Sequence, residues 1–108
     1  MIHVVATIQL TAGQRDNFLE HFHRLVPLVH AEEGCIEYGP TVDLETDISA
    51  QGPARPDVVT VMEKWESLEA LQAHLVAPHM LEYREGVKDL VQETIIQVLT
   101  PVAPPNDA

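Results

Sequence analysis

Apolar and polar residues alternate from the start of the chain. Ile2, Val4, Ala6, Ile8 and Leu10 fall on one face, and His3, Val5, Thr7 and Gln9 on the other. That period of two predicts a strand. Residues 11–14, Thr-Ala-Gly-Gln, break the run and resemble a capping box. Phe18, Phe22, Leu25, Val26 and Val29 then recur at helical spacing, which predicts an amphipathic helix over residues 14–32. Pro27 removes one backbone donor inside it and is expected to kink it, and Gly34 is expected to end it.

Residues 35–44 read as a second strand interrupted by Gly39-Pro40, and residues 45–57 as a long polar loop with Gly52, Pro53 and Pro56. A third strand follows over residues 58–65, with Val59, Val61, Glu63 and Trp65 on one face. Ser67 is placed to cap a short helix carrying Leu68, Leu71 and Leu75. Pro78 restarts a helix at its first turn, and Met80, Leu81, Tyr83, Val87, Leu90 and Val91 extend it. A last strand is expected over residues 94–100.

The order is β-α-β-β-α-β, with the second α in two pieces. It predicts an α+β fold of the ferredoxin-like, split βαβ type: a four-stranded antiparallel sheet with helices on one face. One domain is expected over residues 1–101, followed by a disordered tail over residues 102–108. A chain of 108 residues has helix enough to cover only one sheet face. The first and third strands carry apolar residues on both faces, so a second copy is expected to cover the other, giving a homodimer.

Charge narrows the partners. The formal net charge is −11, with six Lys plus Arg against seventeen Asp plus Glu. No basic footprint for nucleic acid or an anionic membrane surface is present. A strongly anionic substrate is repelled unless a local basic patch receives it; a neutral organic molecule is not. The single cysteine, Cys35, excludes an internal disulfide and suits a reducing compartment. The chain enters a strand at once, without the basic start of a signal peptide, and holds no bilayer-length apolar run. A cytoplasmic location is therefore expected.

Three side chains stand out chemically. Glu63 shares a strand face with Val59, Val61 and Trp65, so its carboxyl points into apolar surroundings, where burial raises its pKa or demands a partner. His74 lies on the helix face of Ala70 and Leu71 and looks toward the sheet. His79 follows Pro78 at a helix N-terminus, where a neutral ring is favoured. A neutral imidazole is what a general base needs. The competing reading makes Glu63 a paired group at the sheet margin and both histidines hydrogen-bonded structural residues. His74, His79 and Glu63 show no metal-type spacing, and there is no Gly-rich phosphate loop, so neither a metal nor an organic cofactor is expected.

Several motifs together resemble a known family. Glu32-Glu33-Gly34-Cys35 followed by Tyr38, then Glu63-Lys64-Trp65-Glu66-Ser67, Ala73-His74-Leu75 and Pro78-His79-Met80, look like the antibiotic biosynthesis monooxygenases, and among them the bacterial quinol monooxygenases. The likeness runs from about Ile2 to Pro101. It implies a dimeric α+β barrel and oxygen chemistry on quinols or related polyphenols without metal, flavin or haem. On that basis His74 or His79 is expected as the base, Trp65 and Tyr38 as shaping the ring site, and Glu63 as orienting a histidine or sharing its proton. The partners implied are a small aromatic substrate and dioxygen. Haem-degrading relatives use an Asn on the first strand and a His farther into the last helix; here the first strand has no Asn, and the corresponding helix reads Glu82-Tyr83-Arg84. Two other functions stay open on this fold: an isomerase or lyase that only moves protons, and a non-catalytic ligand-binding dimer.

Overall fold

A computed structural model describes residues 1–105. Its elements are β1 (Ile2–Leu10), α1 (Arg15–His30), β2 (Cys35–Thr41), β3 (Val58–Trp65), α2 (Leu68–Leu75), α3 (Pro78–Val87) and β4 (Val91–Leu99). The sheet runs β2-β3-β1-β4, and every neighbouring pair is antiparallel. This is the expected ferredoxin-like α+β arrangement.

The period-two pattern of β1 decides which face is buried. Val4, Ala6, Ile8 and Leu10 point under the helices, as do Val59, Val61, Glu63 and Trp65 of β3, and all eight are buried. Phe18, Phe22, Leu25 and Val29 of α1 close over them. The Phe22 ring lies 5.5 Å from Tyr38 and 5.8 Å from Tyr83, which knits α1 to β2 and α3. The opposite sheet face and both faces of β4 stay open, with Met62, Ile95 and Leu99 well exposed.

Several boundaries differ from the sequence expectation, each for a local reason. No side chain caps α1: Gln14 stands at its N-cap without a side-chain bond, and the Asp57 carboxylate accepts from the backbone N–H of Gly13 instead. The helix passes through Pro27 and ends at His30, four residues before Gly34. Gly34 lies in the following turn at φ +84°, and a Cβ there would sit 2.6 Å from Ala70 Cβ. β2 is not interrupted at Gly39-Pro40; it pairs with β3 through both residues and stops at Thr41. Proline is tolerated because β2 is a sheet edge, where one backbone side needs no partner. β4 begins at Val91, three residues early, because Leu90 and Val91 continue the helical spacing of α3 while the chain has already turned. Residues 102–105 hold no helix or strand, and residues 106–108 of the expected tail lie outside the described residues.

Candidate active site

The site is built on β3. Side chains two apart on a strand share a face, so Glu63 and Trp65 lie side by side under the helices. The Trp65 indole N–H donates to Glu63 Oε1 at 2.9 Å. Trp65 is fully buried. Burial pushes the Glu63 carboxyl up to about 7; the Trp65 hydrogen bond works against that rise, and the nearby charge of Glu32 adds to it.

α2 brings His74 onto this pair. Ser67 caps the helix by accepting from the backbone N–H of Ala70, and the buried face then carries Leu71 and His74. The His74 ring stands 4.6 Å from Trp65 and meets Tyr38 edge-on at 5.3 Å. Its partner is not Glu63 but Glu32, in the turn after α1. His74 Nδ1 lies 2.9 Å from Glu32 Oε2 and 3.1 Å from Oε1. His79 Nε2 lies 2.7 Å from the same Oε2. An ionised carboxylate only accepts, so each imidazole presents an N–H to it. Neutral His74 is thereby fixed with its proton on Nδ1 and its lone pair on Nε2. Burial lowers the His74 pKa, the Glu32 carboxylate works against that fall, and the net shift is downward, which favours the neutral ring.

Nε2 of His74 faces a cavity of about 330 Å³ between the sheet and the helices α2 and α3, a volume suited to a small organic molecule. Ala6, Ile8, Val61, Met80, Val87 and Ile96 give it apolar walls. Tyr38 and Tyr83 line it too, and burial raises both phenols above their ordinary range, so they stay protonated as donors. No buried side-chain nitrogen or oxygen lacks a partner among the described residues. Among the described residues His74 Nε2 and Glu63 Oε2 have no hydrogen-bond partner, yet neither is a buried unpaired atom, so both are reached from the cavity that their side chains line. The arrangement can accept a proton from an aromatic hydroxyl at His74 and hold the ring against largely apolar walls.

The sequence-derived site residues separate into layers. His74, Glu63 and Tyr38 reach the cavity. Trp65 does not line it but stands behind Glu63 and His74, holding both. His79 lies on the far side of Glu32 and opens onto a groove between α1 and α3 with His21 and Arg24. The expected contact of Glu63 with a histidine is corrected: Glu63 bonds Trp65, and Glu32 takes the orienting position. The signal for Glu32 was present in the sequence. An acidic pair, Glu32-Glu33, directly follows a helix C-terminus, where the helix dipole favours a cation; such a carboxylate asks for donors from elsewhere. Cys35 sits near Glu32 and Glu63, and burial and their charge raise its thiol, which suits a packing residue better than a nucleophile. Among the described residues no three His, Cys, Asp or Glu side chains gather to hold a metal ion, and no helix is long and apolar enough to cross a membrane.

Comparison with known proteins finds relatives in both sequence and fold. The profile of the antibiotic biosynthesis monooxygenase family matches residues 1–86. The chain is 44% identical over 103 residues to the probable quinol monooxygenase YgiN of Escherichia coli K12, covering 94% of this chain and 98% of the relative. Solved structures share the fold. One from Pseudomonas aeruginosa superposes with a TM-score of 0.77 at 24% identity, covering 94% of both chains. An antibiotic biosynthesis monooxygenase homologue from Deinococcus radiodurans superposes with a TM-score of 0.78 at 20% identity, covering 100% and 99%.

Proposed function

Because the chain belongs to the antibiotic biosynthesis monooxygenase family and is an oxidoreductase of that type, we propose that its residues 1–101 form a quinol monooxygenase that works with dioxygen alone. The observation that supports this most is the lone pair of His74 Nε2, held toward an apolar cavity by the Glu32 carboxylate on the opposite side of the ring.

The reading follows from the chemistry of the substrate. A quinol hydroxyl gives its proton to His74 Nε2, and the resulting imidazolium is stabilised by Glu32. The quinolate is electron-rich and reduces dioxygen by one electron. Recombination forms a bond between a ring carbon and oxygen, and the peroxide so formed loses water. Quinol plus dioxygen becomes hydroxyquinone plus water. One oxygen atom stays on the ring, the other leaves as water, and every electron comes from the substrate. No metal, flavin or haem is needed in that balance. Glu63, half protonated near neutral pH, is placed to return a proton as the O–O bond breaks. Tyr38 and Tyr83 hold the ring, Trp65 fixes Glu63, and the apolar walls limit water that would quench the intermediate.

Oxygen uptake by chelator-treated protein over a panel of quinols tests the reading, with labelled dioxygen placing one labelled atom in the product. His74→Ala should lower turnover by roughly 10²–10⁴-fold, and His79→Ala should cost far less because its ring faces away from the cavity. Uptake restored only by one metal, or full turnover in folded His74→Ala protein, would overturn it. Proton exchange into a substrate without oxygen consumption would point to an isomerase or lyase instead.

A further inference from the structure

The charge around the cavity runs against the charge of the chain. Acidic residues outnumber basic ones seventeen to six in the sequence. At the cavity the balance reverses. Arg84 and Lys88 line it, and among the described residues Glu63 is the one acidic side chain that does so. Two of the six cations of a strongly acidic protein thus border one apolar space.

Their placement is specific. Arg84 and Lys88 are four residues apart on α3 and its C-cap, so they follow one face of the helix. Arg84 forms no ion pair among the described residues. Its Nη2 donates to the backbone carbonyl of Leu75, next to His74, and that tether holds the guanidinium beside the site with most of its five donors free. Its charge reaches the interior, where it helps keep His74 neutral and opposes the rise of the Tyr83 phenol. Lys88 Nζ bonds Glu85 Oε1 at 2.7 Å, but both side chains are well exposed. Such a surface pair is weak and readily exchanged for a better acceptor.

We propose that the substrate is an aromatic quinol bearing a carboxylate substituent, received by Arg84 with Lys88 beside it; this rests on the quinol reading above. The hydroxyl goes to His74, the ring to the apolar walls, and the acid group to the α3 cations. A planar guanidinium fork matches a carboxylate. A second cation one turn farther along, toward the start of β4, adds little to an oxyanion held at His74. A substituent running along that wall meets both. The same pair also removes the penalty that a chain of net charge −11 imposes on an acidic ligand.

Binding can be read without turnover. The protein has one tryptophan, Trp65, in contact with His74, so its emission reports occupancy of the cavity. The probes are a naphthalene carboxylate and the corresponding amide. One charge-assisted contact should make the carboxylate bind about tenfold tighter at low salt. Arg84→Gln should bring the ratio near one, and Arg84→Lys should keep most of it. In oxygen uptake, a carboxyalkyl quinol should show a lower KM than its amide, again through Arg84. Equal binding of the two probes, or a preference that survives Arg84→Gln, would sink the proposal. So would an Arg84→Gln variant that loses kcat equally on both quinols with their KM ratio unchanged, because the charge would then serve the quinolate itself. If no quinol consumes oxygen but the Arg84-dependent preference is present, the quinol reading fails and the anion site stands.

Discussion

Replacing Glu32 by Gln separates what holds the site together from what makes it react. The carboxylate accepts from His74 Nδ1 at 2.9 and 3.1 Å and from His79 Nε2 at 2.7 Å. A hydrogen bond to a charged group contributes about 1.5–3 kcal/mol. The His74 ring is 2% exposed and has no water to turn to, whereas His79 is 24% exposed and can rebind solvent. Glu32→Ala should therefore cost roughly 2–4 kcal/mol, and lower Tm by roughly 10–20 °C in a domain of this size. Glu32→Gln keeps an acceptor of the same shape and should cost about 1 kcal/mol. Its catalytic effect should be much larger. Gln cannot stabilise the imidazolium, and if its amide turns its NH₂ toward His74, the proton moves to Nε2 and the base is lost. A fall in turnover of roughly 10²–10⁴-fold is expected. Because Glu32 supports the protonated form of His74, any residual activity should have its acid limb at lower pH than the wild type. Oxygen uptake against pH, normalised to folded protein by near-ultraviolet circular dichroism, is the assay. Glu32→Gln protein that is folded, turns over at the wild-type rate and keeps the same acid limb would refute the assignment of His74 as a base oriented from behind.

Three further outcomes follow from other parts of the molecule. Glu63 titrates near 7 in the folded chain against an ordinary 4.5, so the folded state holds a proton that the unfolded state has lost; stability from this source is present below about 4.5 and is lost as pH rises to about 7. Glu63→Gln should flatten that loss, a gain of about 3 kcal/mol at pH 8, and chemical denaturation at pH 5 and 8 showing the wild-type slope intact would contradict it. Gly34→Ala must place a Cβ 2.6 Å from Ala70 Cβ at a positive φ, so a loss of roughly 2–4 kcal/mol is expected in urea melts, and a loss under 0.5 kcal/mol would show that the turn relaxes freely. A homodimer through the uncovered sheet face, where Met62, Ile95 and Leu99 are exposed, should sediment as a single species of twice the chain mass at micromolar concentration; a monomer would exclude it.

Much of the fold was legible because two periodicities carry it. Strict alternation in β1 and β3 named the buried face down to Glu63 and Trp65, and Ser67 and Pro78 marked where α2 and α3 begin. The start of β4 was not legible, since Leu90 and Val91 satisfy the helical spacing of α3 and the strand pairing equally; only the pairing of Leu10 with Val91 decides it. His74 was visible as a polar residue on an apolar helix face. The acidic pair after α1 marked Glu32 as a carboxylate in need of donors, but not which donors, because they lie 42 and 47 residues away in sequence and no local pattern connects that turn to helices farther along the chain. The cationic lining of the cavity was equally hidden: Arg84 and Lys88 sit in a stretch with Glu82, Glu85 and Asp89, and sequence alone does not say which of these face inward.

The position of β1 has a consequence for how the chain acquires its shape. β1, which precedes the other three strands in the chain, lies in the middle of the sheet, bonded to β3 on one side and to β4 on the other. His3 pairs with both Lys64 and Leu99. Until β4 has left the ribosome, the central strand has an unsatisfied edge and the cavity lacks the wall that Thr94 and Ile96 provide. Closing the sheet joins β1 to β4, a contact that spans almost the whole domain, so folding should be slow for a domain this small and nearly all-or-none. During translation the nascent chain presents an apolar, unpaired strand for which a chaperone, or a neighbouring nascent copy of the same chain, competes.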